Sequence, residues 1–299
     1  PLMELASPFS ARCCDNVIAM PNTTPPIHDP DSIMAMHTAY QMALGSAVKV
    51  YMTAKWLPRT TPNDVIAAKE AGAIGFKLYP QGATTNSEDG IPFHDLANGE
   101  DYLAEVLREL ERQDMVLLCH GEAPGFCLDR EKHFTPTFYG VSRSYPKLRM
   151  TLEHISTVDG VNCVLRCDKG AKVLGTITAH HLLLTLNDVV GDKLRPDNFC
   201  KPIPKLSKDR AELCRSAFAA DDRFAFGSDS APHWRDHKHC SHGCAGVFSA
   251  PVMAETLVGL FGAIPERNWD KFGKLTKFTS ENANKFYGFE RSGRKIKFK

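Results

Sequence analysis

Two kinds of segment alternate along this chain, and the alternation restricts its architecture more than any other feature. Strand-like runs occupy Asn16 to Pro21, Ala47 to Thr53, Ala73 to Tyr79, Met115 to His120, Leu148 to His154, Val173 to Thr178 and Phe224 to Ser228. Helical patterns lie between them. Asp31 or Ser32 can cap a segment carrying Ile33, Met36, Tyr40 and Leu44, while Tyr102, Leu103, Val106, Leu107 and Leu110 make one apolar face of a later helix. Asn63 to Ala71, Val158 to Cys167, Lys208 to Ala219 and Pro251 to Phe261 read as further helices. Strand followed by helix, many times over, predicts a parallel sheet covered by helices.

An open doubly wound sheet and a closed barrel share that alternation. No Gly-x-Gly-x-x-Gly follows the first strand, and residues that can bind a cation or move a proton close several different runs: Lys77, His120, Glu122, His154, Asp229 and His233. Chemistry spread over many strand ends belongs to a barrel. The expected fold is therefore α/β, a (β/α)8 TIM barrel in one domain over residues 1–299. Only seven strands are countable, and Pro1 to Asp15 is poorly patterned, with Pro8 breaking any alternation. A first strand is expected to be missing.

Charge excludes some partners. Lys and Arg number 36 against 35 Asp and Glu, and no basic stripe with interleaved aromatics occurs, so no nucleic-acid partner is expected. The basic tail Arg291 to Lys299 reads as a solvated end. The longest apolar stretch, Val252 to Ile264, contains Glu255 and is too short to span a bilayer; with no signal peptide at the start, a cytoplasmic protein free of membranes is expected. Ten cysteines in 299 residues suit reduced thiols. Cys240-Ser-His242-Gly-Cys244, with His237 and His239, offers zinc ligands but lacks paired Cys-x-x-Cys spacing, so these residues read as incidental to a loop.

Eight patches, taken together and in order, resemble one family. Met20-Pro-Asn22-Thr-Thr-Pro-Pro26, Lys77-Leu-Tyr-Pro80, Ala83-Thr84-Thr85-Asn-Ser87, His120-Gly-Glu122, Glu153-His154-Ile155, Thr176-Ile-Thr-Ala-His-His181, Gly227-Ser-Asp229-Ser-Ala-Pro-His233 and Cys244-Ala245-Gly246 closely resemble the single-function dihydroorotases of the amidohydrolase superfamily. The match runs from about Asn16 to about Tyr287. The resemblance implies a metal-dependent barrel, usually a homodimer, that reversibly converts N-carbamoyl-L-aspartate to L-dihydroorotate in pyrimidine biosynthesis.

It also implies roles. Lys77 would carry carbon dioxide as N6-carboxylysine and bridge two zinc ions, because a carbamate presents two anionic oxygens and an amine presents none. His120 and His154 would bind the more buried zinc as neutral imidazoles. Asp229 would bind the second zinc and serve as catalytic base and acid. Asn22, His233 and the backbone at Ala245 and Lys201 would hold the substrate, with Thr84 and Thr85 closing over it on a lid between Gly82 and Gly90. His181 would orient a metal ligand from behind. Taken alone, each residue has a plainer reading: Lys77 as a salt-bridged lysine, the histidines as hydrogen-bonded core residues, Asp229 as a cap, and Asn22 and the Thr-Thr-Asn-Ser run as turn and loop residues.

Two features depart from the family pattern. Its first strand carries a His-x-His pair and an arginine, and Pro1 to Cys14 holds no histidine; the segment after Asn282-Ala-Asn-Lys-Phe-Tyr-Gly288 is also short. On that basis the chain as written is expected to hold at most one zinc tightly and to turn over poorly. A hydantoinase- or dihydropyrimidinase-like cyclic amidohydrolase is one alternative, which Met20-Pro-Asn-Thr and the Thr84-Thr85 pair disfavour. A non-catalytic homologue acting as a binding partner is the other; the metal-ligand residues disfavour it and the absent His-x-His favours it.

Overall fold

The structure is a computed structural model describing residues 2–264, 270–291, 293–294 and 296. All seven strands form: β1 (Asn16–Ala19), β2 (Lys49–Lys55), β3 (Ala73–Leu78), β4 (Val116–His120), β5 (Arg149–Glu153), β6 (Val173–Ile177) and β7 (Phe224–Phe226). They pair in parallel, in sequence order, as one sheet curled into a barrel wall in which β1 and β7 are the edges among the described residues. This is the (β/α)8 architecture with seven strands in place.

Helices cover the outer face, so β4 and β6 are buried along their whole length. A strand buried on both faces must be apolar without alternation, which is how Val116-Leu-Leu-Cys and Val173-Leu-Gly read. The helix Asp101–Arg112 buries the predicted Leu103, Val106, Leu107 and Leu110. Around the sheet a single apolar cluster extends from Ala19 to Phe278 and includes Phe76, Phe134, Phe138, Phe224 and Phe261.

Three local expectations are corrected. The helix Pro30–Leu44 is capped by Asp29, whose carboxylate accepts the Ser32 amide at 2.8 Å while the Ser32 hydroxyl accepts the Asp29 amide at 3.1 Å. Proline at the first helical position moves the start upstream of Asp31 and Ser32. The poorly patterned opening is a helix, Leu2–Ala11, with Pro8 inside it and none of its residues buried. Arg130–Ser144 is a further helix that runs through Pro136 and buries Phe134 and Phe138 four residues apart. In the basic tail, Arg291 pairs with Glu281 and Arg294 with Asp15, while Lys295 and 297–299 lie outside the described residues.

The last described helix, Asn282–Tyr287, closes the end of the barrel where the strands begin. Asn282 Nδ2 donates to the carbonyls of Asp221 and Phe224 beside β7, and Asn16 Nδ2 in β1 donates to Asn284 Oδ1 at 3.3 Å. Arg149 in β5 reaches the Phe286 carbonyl, and Phe289 stacks on Tyr51 of β2 at 3.8 Å between ring centroids. The opposite end, where the strands finish, stays free for chemistry.

Candidate active site

Parallel strands running the same way deliver their final residues to one rim. There Lys55 ends β2, Lys77 lies one residue from the end of β3, His120 ends β4, His154 follows β5 and Asp229 lies three residues past β7. Lys55 and Lys77 are register neighbours, as are His120 and Glu153.

The centre of the site is an imidazole pair. His120 Nδ1 stands 3.2 Å from His154 Nε2, both rings buried, with the other nitrogen of His120 3.0 Å from Glu122 Oε2. Burial pushes Glu122 up, but the His120 hydrogen bond and the charges of Lys205 and Arg130 outweigh it and keep its carboxyl below the usual range. A carboxylate accepts only, so His120 donates Nε2–H to Glu122 and its Nδ1 carries a lone pair aimed at His154. Burial lowers the pKa of both imidazoles, that of His154 strongly, with His120 and Lys77 adding to the effect on His154. Both shifts favour the uncharged imidazole.

His154 is held in a strained backbone conformation, φ 43°. Its amide donates to Thr176 Oγ1 at 2.7 Å, and that hydroxyl donates onward to Glu153 Oε2 at 2.8 Å. Its Nδ1 has no hydrogen-bond partner among the described residues. Asp229 is the second strained residue, φ 40°, with its carboxyl pushed up to about 7 by burial against the opposing pull of Lys77. Lys77 itself is 2% exposed, 5.4 Å from the centre of the Tyr79 ring, and burial lowers its pKa although Glu153 and Asp229 favour the ammonium. Its Nζ makes no hydrogen bond among the described residues.

These residues fit a divalent cation. Two nitrogens on one tetrahedral zinc stand about 3.3 Å apart when each bond is about 2.0–2.1 Å, close to the 3.2 Å seen here. With no cation, either two lone pairs face each other, or His154 donates to His120 and leaves its own Nδ1 lone pair buried without a donor. A cation held by Nδ1 of His120 and Nε2 of His154 would remove the facing lone pairs; Nδ1 of His154 would then be a protonated nitrogen whose acceptor is not among the described residues.

The rim residues converge separately. Asn22 Nδ2 donates to the Thr85 carbonyl at 3.3 Å and Tyr79 Oη donates to Asn22 Oδ1 at 2.9 Å. Thr85 Oγ1 and His233 Nε2 both reach the Ala245 carbonyl, at 3.5 and 3.1 Å. Thr84 is tied through its amide to Ser87 within the loop. Lys201 is near enough for its charge to depress the His120 pKa.

Sequence reasoning named Glu122 without giving it a partner, and missed the lysines that hold the surrounding loops. Glu122 had a signal, since a carboxylate two residues beyond a strand-end histidine returns to the same side. Lys55, Lys205 and Lys238 had none: only the fold shows that these lysines are buried. Lys205 Nζ bonds the Cys127 carbonyl and stands 3.8 Å from Glu122, while Lys238 Nζ donates to the carbonyls of Phe199, Cys244 and Gly246 at 3.0, 3.0 and 2.7 Å.

A second group of ligand-type side chains, His180, His181 and Cys200, is buried behind the site with its ligand atoms within 4.8 Å of one another. Thr178 Oγ1 accepts the His181 amide, so its proton goes to His181 Nδ1, and Nε2–H then donates to the Pro202 carbonyl at 2.9 Å. No lone pair is left on His181, so this group does not suit a metal. His181 thereby positions the Lys201–Pro202 segment, and hydrogen-bonds to neither His120 nor His154.

No family model matches the chain. Relatives and solved structures do. It is 36% identical to a mitochondrial dihydroorotase of Arabidopsis thaliana over 100% of this chain and 78% of that protein, and 35% identical to a dihydroorotase of Helicobacter hepaticus over 87% and 74%. The crystal structure of dihydroorotase from Campylobacter jejuni superposes with a TM-score of 0.84 at 34% identity, covering 97% of this chain and 80% of that one. The Saccharomyces cerevisiae dihydroorotase in complex with 5-fluoroorotic acid superposes with 0.87 at 29%, covering 97% and 81%. An Arthrobacter aurescens L-hydantoinase shares the fold at 17% identity, a TM-score of 0.79 and coverage of 96% and 66%. With identity at this level spread over nearly the whole chain and most of each relative's length, this chain belongs to the dihydroorotase family of the amidohydrolase superfamily.

Proposed function

We propose that this chain interconverts N-carbamoyl-L-aspartate and L-dihydroorotate, and that Lys77, as a carbamate, with His120, His154 and Asp229 would hold the zinc it uses. The single observation that carries the reading is the His120–His154 pair, fixed by Glu122 with a lone pair directed into the gap. Zinc at such a position supplies a positive centre that acidifies water and polarises an amide carbonyl.

The protein's own groups supply the rest. In the hydrolytic direction water oxygen attacks the ring amide carbon, the carbon–nitrogen bond breaks, and Asp229 takes the proton from water and returns it to the departing nitrogen. A carboxyl with a pKa of about 7 can do both near neutrality. The burial that lowers the pKa of Lys77 enlarges its neutral fraction, and the neutral amine is the form that adds carbon dioxide. Asn22, His233, Thr84, Thr85 and the backbone at Lys201 and Ala245 would grip the substrate; the contacts of Thr85 and His233 to Ala245 support that grouping.

We read residues 1–299 as one barrel domain, supported by one continuous sheet and one apolar cluster. A cytoplasmic homodimer follows from the resemblance; among the described residues no helix is long and apolar enough to cross a membrane. Sedimentation and cell fractionation test these two points, and a mitochondrial relative gives the second a real alternative.

The test of function is metal content per chain measured alongside hydrolysis of L-dihydroorotate, with hydantoin as the control substrate. Zinc that is lost together with turnover in His120→Ala supports the reading. Zinc retained at full stoichiometry in that variant, or preference for hydantoin, defeats it.

A further inference from the structure

The segment 80–91 folds over the mouth of the site as a compact unit. Its ends are joined by two backbone bonds of 2.9 Å, Ile91 N–H to the Tyr79 carbonyl and Gln81 N–H to the Ile91 carbonyl. Inside, the buried Ser87 hydroxyl accepts the Thr84 amide and donates to the Thr84 carbonyl. Gly90 is packed so closely that a Cβ there would stand 2.3 Å from the Tyr79 carbonyl oxygen. This loop has a shape of its own, and the open question is what fixes that shape against the barrel.

Lys55 is the strongest of its attachments. It closes β2, a run of mainly apolar residues, and is 2% exposed. Its ammonium donates to the Asn86 carbonyl at 2.7 Å, pairs with the Asp89 carboxylate and stands 5.9 Å from the centre of the Tyr79 ring. Both oxygen partners belong to the loop, and among the described residues none comes from the barrel wall. A buried ammonium without partners is costly, so a lysine that served only to pack the wall would be better replaced by an aliphatic residue. Asn22 adds two contacts, donating to the Thr85 carbonyl and accepting from Asn86 Nδ2 at its own carbonyl, at 3.3 and 2.9 Å.

We infer that Lys55 is a positioning residue that latches the 80–91 loop in its closed geometry before any substrate arrives. Thr85 is then already directed at Ala245, and substrate does not have to order the loop on binding. The consequence for turnover rests on the reading that this loop contacts substrate; the latch itself does not.

Amide hydrogen exchange across 81–91 in the ligand-free full chain is the direct test, comparing the parent with Lys55→Met, Lys55→Arg and Asp89→Asn. Lys55→Met should speed loop exchange by about tenfold or more, the equivalent of one lost charge-assisted hydrogen bond, and leave β3 and β4 unchanged. Asp89→Asn, at a half-exposed position, should give a smaller increase and carries the test if Lys55→Met fails to fold. Lys55→Arg should restore much of the protection. Loop exchange at the parental rate in both Lys55→Met and Asp89→Asn overturns the latch. Kinetics separate the two ideas: a raised KM with little change in kcat supports latch and substrate contact together, whereas a loosened loop with unchanged KM leaves the latch standing and removes the loop from the substrate site.

Discussion

The centre of this site and its rim bury lysines in opposite ways. At the rim, Lys238 spends its ammonium on three carbonyls from two loops, Lys205 on the Cys127 carbonyl beside Glu122, and Lys55 on Asn86 and Asp89. At the centre, Lys77 is as deeply buried as Lys55 and has only a ring face and distant charges for company. Backbone strain does not follow that division: His154 and Asp229 are at positive φ in the centre, and Asn86 is at φ 55° in the rim loop. The rim lysines are satisfied by protein groups, whereas Lys77 makes no hydrogen bond among the described residues, which is the contrast the proposed metal site would explain.

Substitutions on the two sides should therefore differ in kind. The largest effect is expected for Asp229→Asn, which removes the proposed proton carrier while tolerating its backbone angle: kcat for L-dihydroorotate should fall by about 10²–10⁴-fold with the thermal melt unchanged. A melt that drops with activity would place Asp229 among the structural residues. Lys238→Met reverses the pattern, since it strands three carbonyls, and should cost roughly 2–4 kcal/mol in urea unfolding. A parental unfolding midpoint would show that the loops hold without it.

Acid should find the layer behind the site. Burial lowers His181 from 6.5 to about 4 in the folded chain. A depressed folded pKa means that the unfolded chain binds the extra proton first, so this contribution to stability is complete above pH 6.5 and is lost as pH falls toward 4. The full loss is roughly 3 kcal/mol, and because burial also lowers the pKa of His120, His154 and His180, His181→Gln should remove one part of the pH dependence of the melting temperature across that window. An equally steep profile in the variant would assign the acid sensitivity elsewhere.

Smaller effects sharpen the contrast. Glu122→Gln keeps the shape but removes the charge behind His120, and zinc affinity measured by chelator competition should weaken by about 10–100-fold; unchanged affinity would mean that Glu122 merely packs. Asp229→Gly relieves the positive φ and should stabilise the fold by about 1 kcal/mol while abolishing turnover. A destabilised glycine variant would mean that the centre is not where strain is stored.

Much of the fold was legible because buried parallel strands advertise themselves. All seven runs became strands, trimmed by a residue or two at their ends. The exception is informative: the expected span Ala47 to Thr53 stops short of Lys55, a charged residue that the wall nevertheless buries, and β2 runs Lys49–Lys55. Pro8 and Pro136 hid two helices, since an interior proline argues against a helix locally while Phe134 and Phe138 hold Arg130–Ser144 in place from outside. The site's chemical groups were legible as residue types at strand ends. Their supports were not, because Thr176 beneath His154 and Lys205 beside Glu122 meet their partners across strands and loops, and sequence spacing carries no trace of that.

The floor of the barrel sets a timetable. Asn16 in β1 meets Asn284 across 268 positions of chain, and the same short helix touches β5 and β7 while Phe289 covers Tyr51. During synthesis the early strands leave the ribosome long before the segment that seals their underside, so the nascent wall waits with its lower edge wet. Contacts this distant in sequence slow folding. A ribosome stalled before Asn282 should therefore display a protease-sensitive sheet even though every strand has already emerged.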